Sequence, residues 1–160
     1  MLYSRERRRV SMPVVTNELF INAPPEIVYQ VAKDIEAFPE FMPDVKSARI
    51  LETSDSGNRT VSEWVGLVKE LNTTVKWTEE DRWDEARRRC DFTLVKGDYK
   101  RYGGSWEFLP QDQGTLFRSV VDYEYELPLV GPLIKGLVRK KMQENITRLQ
   151  EALKRRVENG

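Results

Sequence analysis

Between residues 45 and 127 the sequence repeats one pattern, in which segments rich in β-branched and aromatic residues are separated by clusters of turn residues. The six segments are 45–53, 59–71, 73–83, 87–97, 101–110 and 114–127. The stretches between them, such as SDSGN and QDQG, are rich in Gly, Asn, Asp and Ser, which favour tight turns. No segment with helical spacing separates them. The pattern therefore predicts six strands joined as successive antiparallel hairpins rather than a parallel α/β sheet.

The predicted strands have one aromatic face and one charged face. Successive side chains of a strand point to opposite faces of the sheet. In the last strand the odd positions are Phe117, Ser119, Val121, Tyr123 and Tyr125, and the even positions include Arg118, Asp122 and Glu124. Because the aromatic face must be kept from water, another element has to cover it.

The residues before these strands predict one further strand and two short helices. VVTNELFIN (14–22) has the composition of a strand. The pair 24–25 is Pro-Pro, which suits a first helical turn, where the N–H groups need no partner. Pro39 ends this helix and Pro43 ends the next short turn. We therefore expect FPEFMPDV (38–45) to be the corner that returns the chain to the sheet.

The C-terminal segment predicts a long helix that covers the aromatic face. It begins at Pro132, with Gly131 as its N-cap. Its apolar stripe consists of Ile134, Leu137, Val138, Met142, Ile146, Leu149, Leu153 and Val157. The element order predicts an α+β fold (β-α-α-β6-α), in which a curved antiparallel sheet of about seven strands wraps around this helix.

Length and composition predict one folded domain behind a loose tail. A chain of 160 residues with 39% hydrophobic and 32% charged residues has the composition of a globular protein and can bury a core. Residues 1–12 contain four arginines but no apolar run, so we expect a flexible tail there and a single domain over 13–160. The lone cysteine, Cys90, and the lack of a secretory signal favour a cytoplasmic location.

The chain contains no histidine, which removes several classes of chemistry. Ser-His-Asp and Cys-His nucleophiles are excluded, and so is histidine acid–base catalysis. One thiol without an imidazole does not make a zinc or transition-metal site, so we expect no metal and no cofactor. The formal net charge is zero and the basic residues concentrate at the two ends, unlike the basic face of a nucleic-acid binder.

One stretch, INAPPEIVYQVAKDIEAFPEFMPDVKSARILE, resembles the opening of START-like proteins with the helix-grip fold. WTEEDRWDE, RYGGSWEFLP and LVRKKMQENITRLQEAL resemble later segments of the same superfamily, and together the resemblance spans about 13–157. The superfamily includes polyketide cyclases, coenzyme Q-binding proteins and lipid-transfer domains. The resemblance implies a deep, mostly apolar cavity between the sheet and the long helix. It also implies a hydrophobic ligand (a lipid, an isoprenoid quinone or a polyketide-like molecule) carried or sensed there.

Strand parity, applied to that implied cavity, predicts its lining. The predicted residues are Val75, Trp77, Phe92, Trp106, Phe117, Ser119, Tyr123 and Tyr125 from the sheet, with Leu137 and Met142 from the helix. Ser119 and the two tyrosine hydroxyls are the candidates for orienting a ligand, because an inward hydroxyl without a partner costs about 1–3 kcal/mol. The alternative is that any of these residues is simply packed core.

Enzymatic cyclisation is the first alternative function. The resemblance implies an arginine in the cavity four residues after the tryptophan that corresponds to Trp77, but this chain has Asp81 there, and Arg82 is expected on the other face. This difference favours a binder over an enzyme. The acidic run around Asp81, Glu79-Glu80-Asp81, lacks the spacing of a calcium loop, and we interpret it as a solvated hairpin.

Docking is the second alternative. Arg139, Lys140 and Lys141 lie away from the apolar stripe or at its edge, where a basic helix can contact a ribosome or an anionic membrane peripherally. A related group within the superfamily associates with ribosomes. The basic and aromatic residues near 87–89 and 99–102 spread over both faces of their strands, which disfavours nucleic acid as a partner.

Overall fold

The computed structural model describes residues 14–69, 72–125 and 132–160. The strands are β1 (Val14–Ile21), β2 (Val45–Ser54), β3 (Arg59–Val68), β4 (Thr73–Asp84), β5 (Arg89–Gly97), β6 (Tyr99–Gln111) and β7 (Gly114–Tyr125). The helices are α1 (Pro25–Lys33), a short 3₁₀ helix (Ile35–Glu40) and α2 (Pro132–Glu158), and a single 3₁₀ turn (Asp55–Gly57) joins β2 to β3. The predicted element order is confirmed. The predicted tail, residues 1–12, lies outside the described residues, so its separation from a domain over 13–160 stays a prediction.

The seven strands form one antiparallel sheet in the order β1-β7-β6-β5-β4-β3-β2. From β2 to β7 each strand pairs with the next along the chain, as the predicted hairpins require. β1 pairs instead with β7, so β1 and β2 lie at opposite edges of the sheet. The chain between these two strands must therefore cross from one edge to the other, and α1 with the 3₁₀ helix makes that crossing.

The predicted corner (38–45) ends the crossing and packs inward. Pro25 lies in the first turn of α1, but the prediction that Pro39 ends this helix was wrong, because α1 ends at Lys33 and Pro39 lies within the 3₁₀ helix. The backbone N–H of Met42 donates to the carbonyl of Phe38 at 2.8 Å, which closes the turn after that helix. The side chains of Phe38 and Met42 are buried, and the ring centroid of Phe38 lies 5.5 Å from that of Trp64.

Helix α2 covers the aromatic face of the sheet, as predicted. Its described stripe residues include Met142, Ile146 and Leu153, all buried. Gln150, a polar residue on the same side, is fully buried and ties the helix to the sheet. Its Nε2 donates to the carbonyl oxygens of Asn17 in β1 (3.1 Å) and Phe117 in β7 (3.3 Å), and its Oε1 accepts from Asn17 Nδ2 at 2.6 Å. None of the helices in the described part of the chain combines the length and hydropathy needed to span a membrane.

Candidate ligand-binding cavity

A cavity lies between α2, the corner and strands β3 to β6. Its volume, measured as the space open to the centre of a water-sized sphere, is about 110 Å³. About 10–15 Å³ on this measure is enough to hold one water molecule, so the space is much larger than a packing defect. The corner contributes Met42, Pro43 and Asp44, and α2 contributes Met142, Asn145, Ile146, Arg148 and Leu149.

Seven aromatic side chains line the cavity on the sheet side. They are Trp64, Trp77, Trp83, Phe92, Tyr99, Tyr102 and Trp106, which include every tryptophan of the chain. Trp64 and Trp77 stack with ring centroids 6.0 Å apart and planes inclined by 5°. Trp77 also meets Tyr99 edge-on at 5.4 Å. These large, mutually packed rings leave few rotamers open, so the wall holds its shape without a ligand.

Two carboxyl groups, Glu79 and Asp81 of β4, also line the cavity. Glu79 is 5% exposed and Asp81 is 3% exposed. Our interpretation of this segment as a solvated hairpin was therefore wrong for these two residues. They follow Val75 and Trp77 at two-residue steps, so the pleat places them on the same inward face. Glu80, between them, faces outward and forms an ion pair with Arg59 at 2.9 Å.

Hydroxyl and indole groups hold this acid pair, Glu79 and Asp81, in position. Asp81 Oδ2 accepts from Ser62 Oγ at 2.7 Å and from Thr60 Oγ1 at 3.2 Å. Glu79 Oε1 accepts from the indole N–H of Trp77 at 2.9 Å. The negative charge of Asp81 disfavours a second charge on Glu79, so one negative charge on the pair is favoured over two.

Burial controls the protonation of the acid pair. Loss of solvation raises the pKa of Glu79 well above its usual value, and the nearby charge of Asp81 adds to this effect. Loss of solvation also raises the pKa of Asp81, although hydrogen bonds from Glu79, Ser62 and Thr60 oppose it. Burial, together with the two carboxylates, raises the pKa of the Cys90 thiol, which keeps that sulfur protonated and unreactive. Among the described residues no group of three His, Cys, Asp or Glu side chains is placed to hold a metal ion.

An ion pair borders the cavity on the helix side. Arg148 Nε lies 2.8 Å from Asp44 Oδ2, so the pair joins α2 to the corner. The Arg148 side chain is 44% exposed, which places this ion pair at the rim, where the cavity meets solvent. Arg148 also donates to Asn145 Oδ1 at 2.7 Å. The cavity therefore has a polar rim, an aromatic wall and a buried acidic group.

The structure brings five of the ten predicted lining residues to the cavity, namely Val75, Trp77, Phe92, Trp106 and Met142. Phe117, Ser119 and Tyr123 face inward as parity predicts, but all three are buried outside the cavity lining. They lie on β7, next to β1, where Gln150 ties α2 to the sheet, so helix and sheet pack directly together there. Leu137 precedes Met142 by five residues, which is a rotation of about 140° around a helix. It therefore lies on a different side of α2 from Met142 and is 39% exposed. The side chain of Tyr125 lies outside the described part of the structure.

Two buried hydroxyl groups outside the cavity have no hydrogen-bond partner within the described residues. They are Ser119 Oγ and the phenol of Tyr29. Burial raises the pKa of Tyr29 to about 12. Ser119, which the sequence put forward as an orienting group, thus lies apart from the cavity that the aromatic residues form.

The acid pair predicts a distinctive pH dependence of stability. Glu79→Gln keeps the shape of the side chain but removes its ionisation. Because the folded protein raises the pKa of Glu79, its contribution to stability is fully present below the unfolded value of 4.5 and is lost as the pH rises through the folded value. As the pH rises above 4.5, we expect the free energy of unfolding of the wild type to fall relative to that of Glu79→Gln, by at most about 1.4 kcal/mol per pH unit. Urea denaturation at a series of pH values measures this.

Glu80→Gln is the matched control, one residue away on the outer face. Hydrogen bonding to Arg59 lowers the pKa of Glu80, so its contribution is present at neutral pH and is lost as the pH falls. The two variants should therefore deviate from the wild type with opposite pH slopes. A pH-independent difference for Glu79→Gln would contradict the raised pKa of that buried carboxyl.

Comparison with known proteins places this architecture in a family. The family described as polyketide cyclase / dehydrase and lipid transport matches residues 21–154. The Escherichia coli (strain K12) protein named ribosome association toxin RatA is 26% identical over 150 residues, which cover 89% of this chain and 90% of that protein.

Solved structures agree with the family match. The Thermus thermophilus protein TTHA0849 is 39% identical with a TM-score of 0.85, over 91% of this chain and 97% of that one. The Zhui aromatase/cyclase from Streptomyces sp. R1128, at 17% identity, has a TM-score of 0.82 over 91% of this chain and 93% of its own, which shows a shared fold. The chain belongs to the polyketide cyclase / dehydrase and lipid transport family and has the START-like helix-grip fold.

Proposed function

We propose that this protein binds a hydrophobic small molecule in the cavity between the sheet and α2, as a carrier or a sensor. The observation that carries the proposal is the cavity of about 110 Å³ with a preformed aromatic wall. A lipid, an isoprenoid quinone or a polyketide-like molecule has the matching chemistry. Transfer of such a ligand from water into the cavity is favoured by about 25 cal/mol for each Å² of apolar surface that it buries. The family, which covers both enzymes and lipid transport, supports this proposal.

Catalysis by cyclisation is the less favoured alternative. The resemblance implies an arginine in the cavity, but the corresponding position is Asp81, inside and acidic. Arg82 lies outside, where its Nε pairs with Glu80 at 2.7 Å. Tyr123, one of the tyrosines predicted to orient a ligand, is buried away from the cavity lining. The cavity therefore has an acidic group, Asp81, at the position where the resemblance implies the basic group of a polyketide cyclase.

Filling the cavity should abolish binding of a hydrophobic probe. N-phenyl-1-naphthylamine accepts excitation energy from tryptophan, and all four tryptophans line the cavity. We expect it to quench their emission as it binds the wild type. Val75→Phe adds a ring inside the cavity and should weaken probe binding by about ten-fold or more, since a clash of that size exceeds about 1.4 kcal/mol.

Thr74→Phe is the matched control, because Thr74 is exposed on the other face of the same strand. It adds the same ring without entering the cavity, and its affinity for the probe should equal that of the wild type. Equal weakening by both variants would contradict the cavity as the binding site, and so would no binding to the wild type.

Ribosome docking is the second candidate function, and the names of the curated relatives favour it. On α2, the side chains of Arg139 and Lys140 are exposed, and Lys141 Nζ pairs with Glu144 at 3.1 Å. Exposed cations on one helix can contact the phosphates of ribosomal RNA. Membrane contact through the same helix and the predicted cytoplasmic location stay predictions.

Co-sedimentation with purified ribosomes tests the docking proposal. We expect the wild type to sediment with ribosomes at low salt and the triple variant Arg139→Gln, Lys140→Gln, Lys141→Gln to stay in the supernatant. Arg82→Gln, Arg87→Gln and Lys96→Gln, which remove three exposed charges elsewhere, form the matched control. If both triple variants lose sedimentation equally, the contact follows net charge and the assigned surface is wrong.

A further inference from the structure

The acid pair Glu79–Asp81 is the most buried charged group in the lining of the cavity. The inference drawn from it rests on the proposed function, because the site is the same cavity. Both side chains are at least nine-tenths buried, and both border the open space. A ligand that fills the cavity must therefore lie against them.

No described basic side chain neutralises the pair. The one described basic residue in the lining is Arg148, and its guanidinium is engaged by Asp44 at the rim. Thr60, Ser62 and Trp77 stabilise the carboxyl oxygens only through neutral hydrogen bonds. A buried negative charge without a counter-ion costs several kcal/mol in a protein interior. This cost is reduced when a bound molecule supplies the positive charge.

The aromatic wall next to the pair favours the same sign of charge. The π-faces of Trp and Tyr attract cations within about 6 Å of the ring centroid. Trp77 lines the cavity and donates its indole N–H to Glu79, so the carboxyl lies at the edge of that ring and a cation bound there is within reach of the aromatic wall. Trp64, stacked on Trp77, extends the surface. Carboxyl groups beside electron-rich rings form an environment complementary to an ammonium group and repellent to an anion.

We propose that the Glu79–Asp81 pair selects hydrophobic ligands that carry a protonated amine and excludes those that carry a carboxylate. The ammonium N–H groups donate to the carboxyl oxygens, and the apolar part of the ligand lies along the tryptophan wall. A carboxylate in the same position adds a second negative charge next to the first. Fatty acids are thus the poorest ligands of a given chain length, and alcohols rank between acids and amines.

Isothermal titration calorimetry with octylamine, octan-1-ol and octanoate at neutral pH tests this ranking. The three probes share one chain and differ only in the polar end. We expect octylamine to bind the wild type about ten-fold or more tightly than octanoate, as one charge-assisted hydrogen bond would give. The double variant Glu79→Gln, Asp81→Asn should bind all three with similar affinity. Glu80→Gln, whose carboxylate faces outward, should keep the wild-type ranking.

The outcomes separate this inference from the proposed function. If all three probes bind the wild type equally, or octanoate binds best, the selection by charge is overturned while the cavity stands. If none of them binds, the proposed function itself fails. The wild-type series is decisive even if the double variant does not fold, because the ranking of the probes needs no mutation.

Discussion

The structure depends on covering one face of a curved sheet. Seven antiparallel strands place aromatic side chains on their inner face, and a single helix, α2, lies across it. Gln150 fixes where the helix lies by bonding to backbone carbonyls of two adjacent strands, at Asn17 and Phe117. A fully buried amide is stable only when its hydrogen bonds are made, so these contacts define one docked position rather than a range.

The cavity is a consequence of that docked position. Over β1 and β7 the helix and sheet pack directly, and residues such as Phe117 and Val121 become solid core. Over β3 to β6 the corner and the middle of α2, from Met142 to Leu149, border the cavity instead, and the space between them stays open. The rings of Trp64, Trp77 and Trp106 then serve two purposes, as part of the packed core and as the wall of the cavity.

Most of the fold could be predicted from the sequence because its signals are local. Period-two alternation, turn residues and the prolines of the corner each restrict a few neighbouring residues. The order from β2 to β7 followed once the hairpins were recognised, but the pairing of β1 with β7 did not. The cavity depends on long-range geometry. The side chains of Phe117 and Trp77 both point to the inner face of the sheet. Phe117 becomes core and Trp77 lines the cavity because their strands lie at different positions under α2.

Glu79 and Asp81 were missed for a different reason. Carboxylates almost always face water, so the acidic run suggested an exposed hairpin. Parity with Val75 and Trp77 could have identified both residues, since two-residue steps carry the inward face through 79 and 81. The position of Asp81, where the resemblance implies a cavity arginine, pointed the same way. Keeping acids inside an aromatic cavity raises the free energy of the empty protein. Their retention in the wall is easiest to understand if a ligand contacts them.

Native mass spectrometry of freshly purified protein, followed by solvent extraction, tests the central claim most directly. We expect a mass above that of the 160-residue chain, with the excess released by organic solvent as one class of hydrophobic small molecule. A mass equal to that of the bare chain, unchanged after incubation with a lipid extract, would contradict the claim that the cavity is a ligand site.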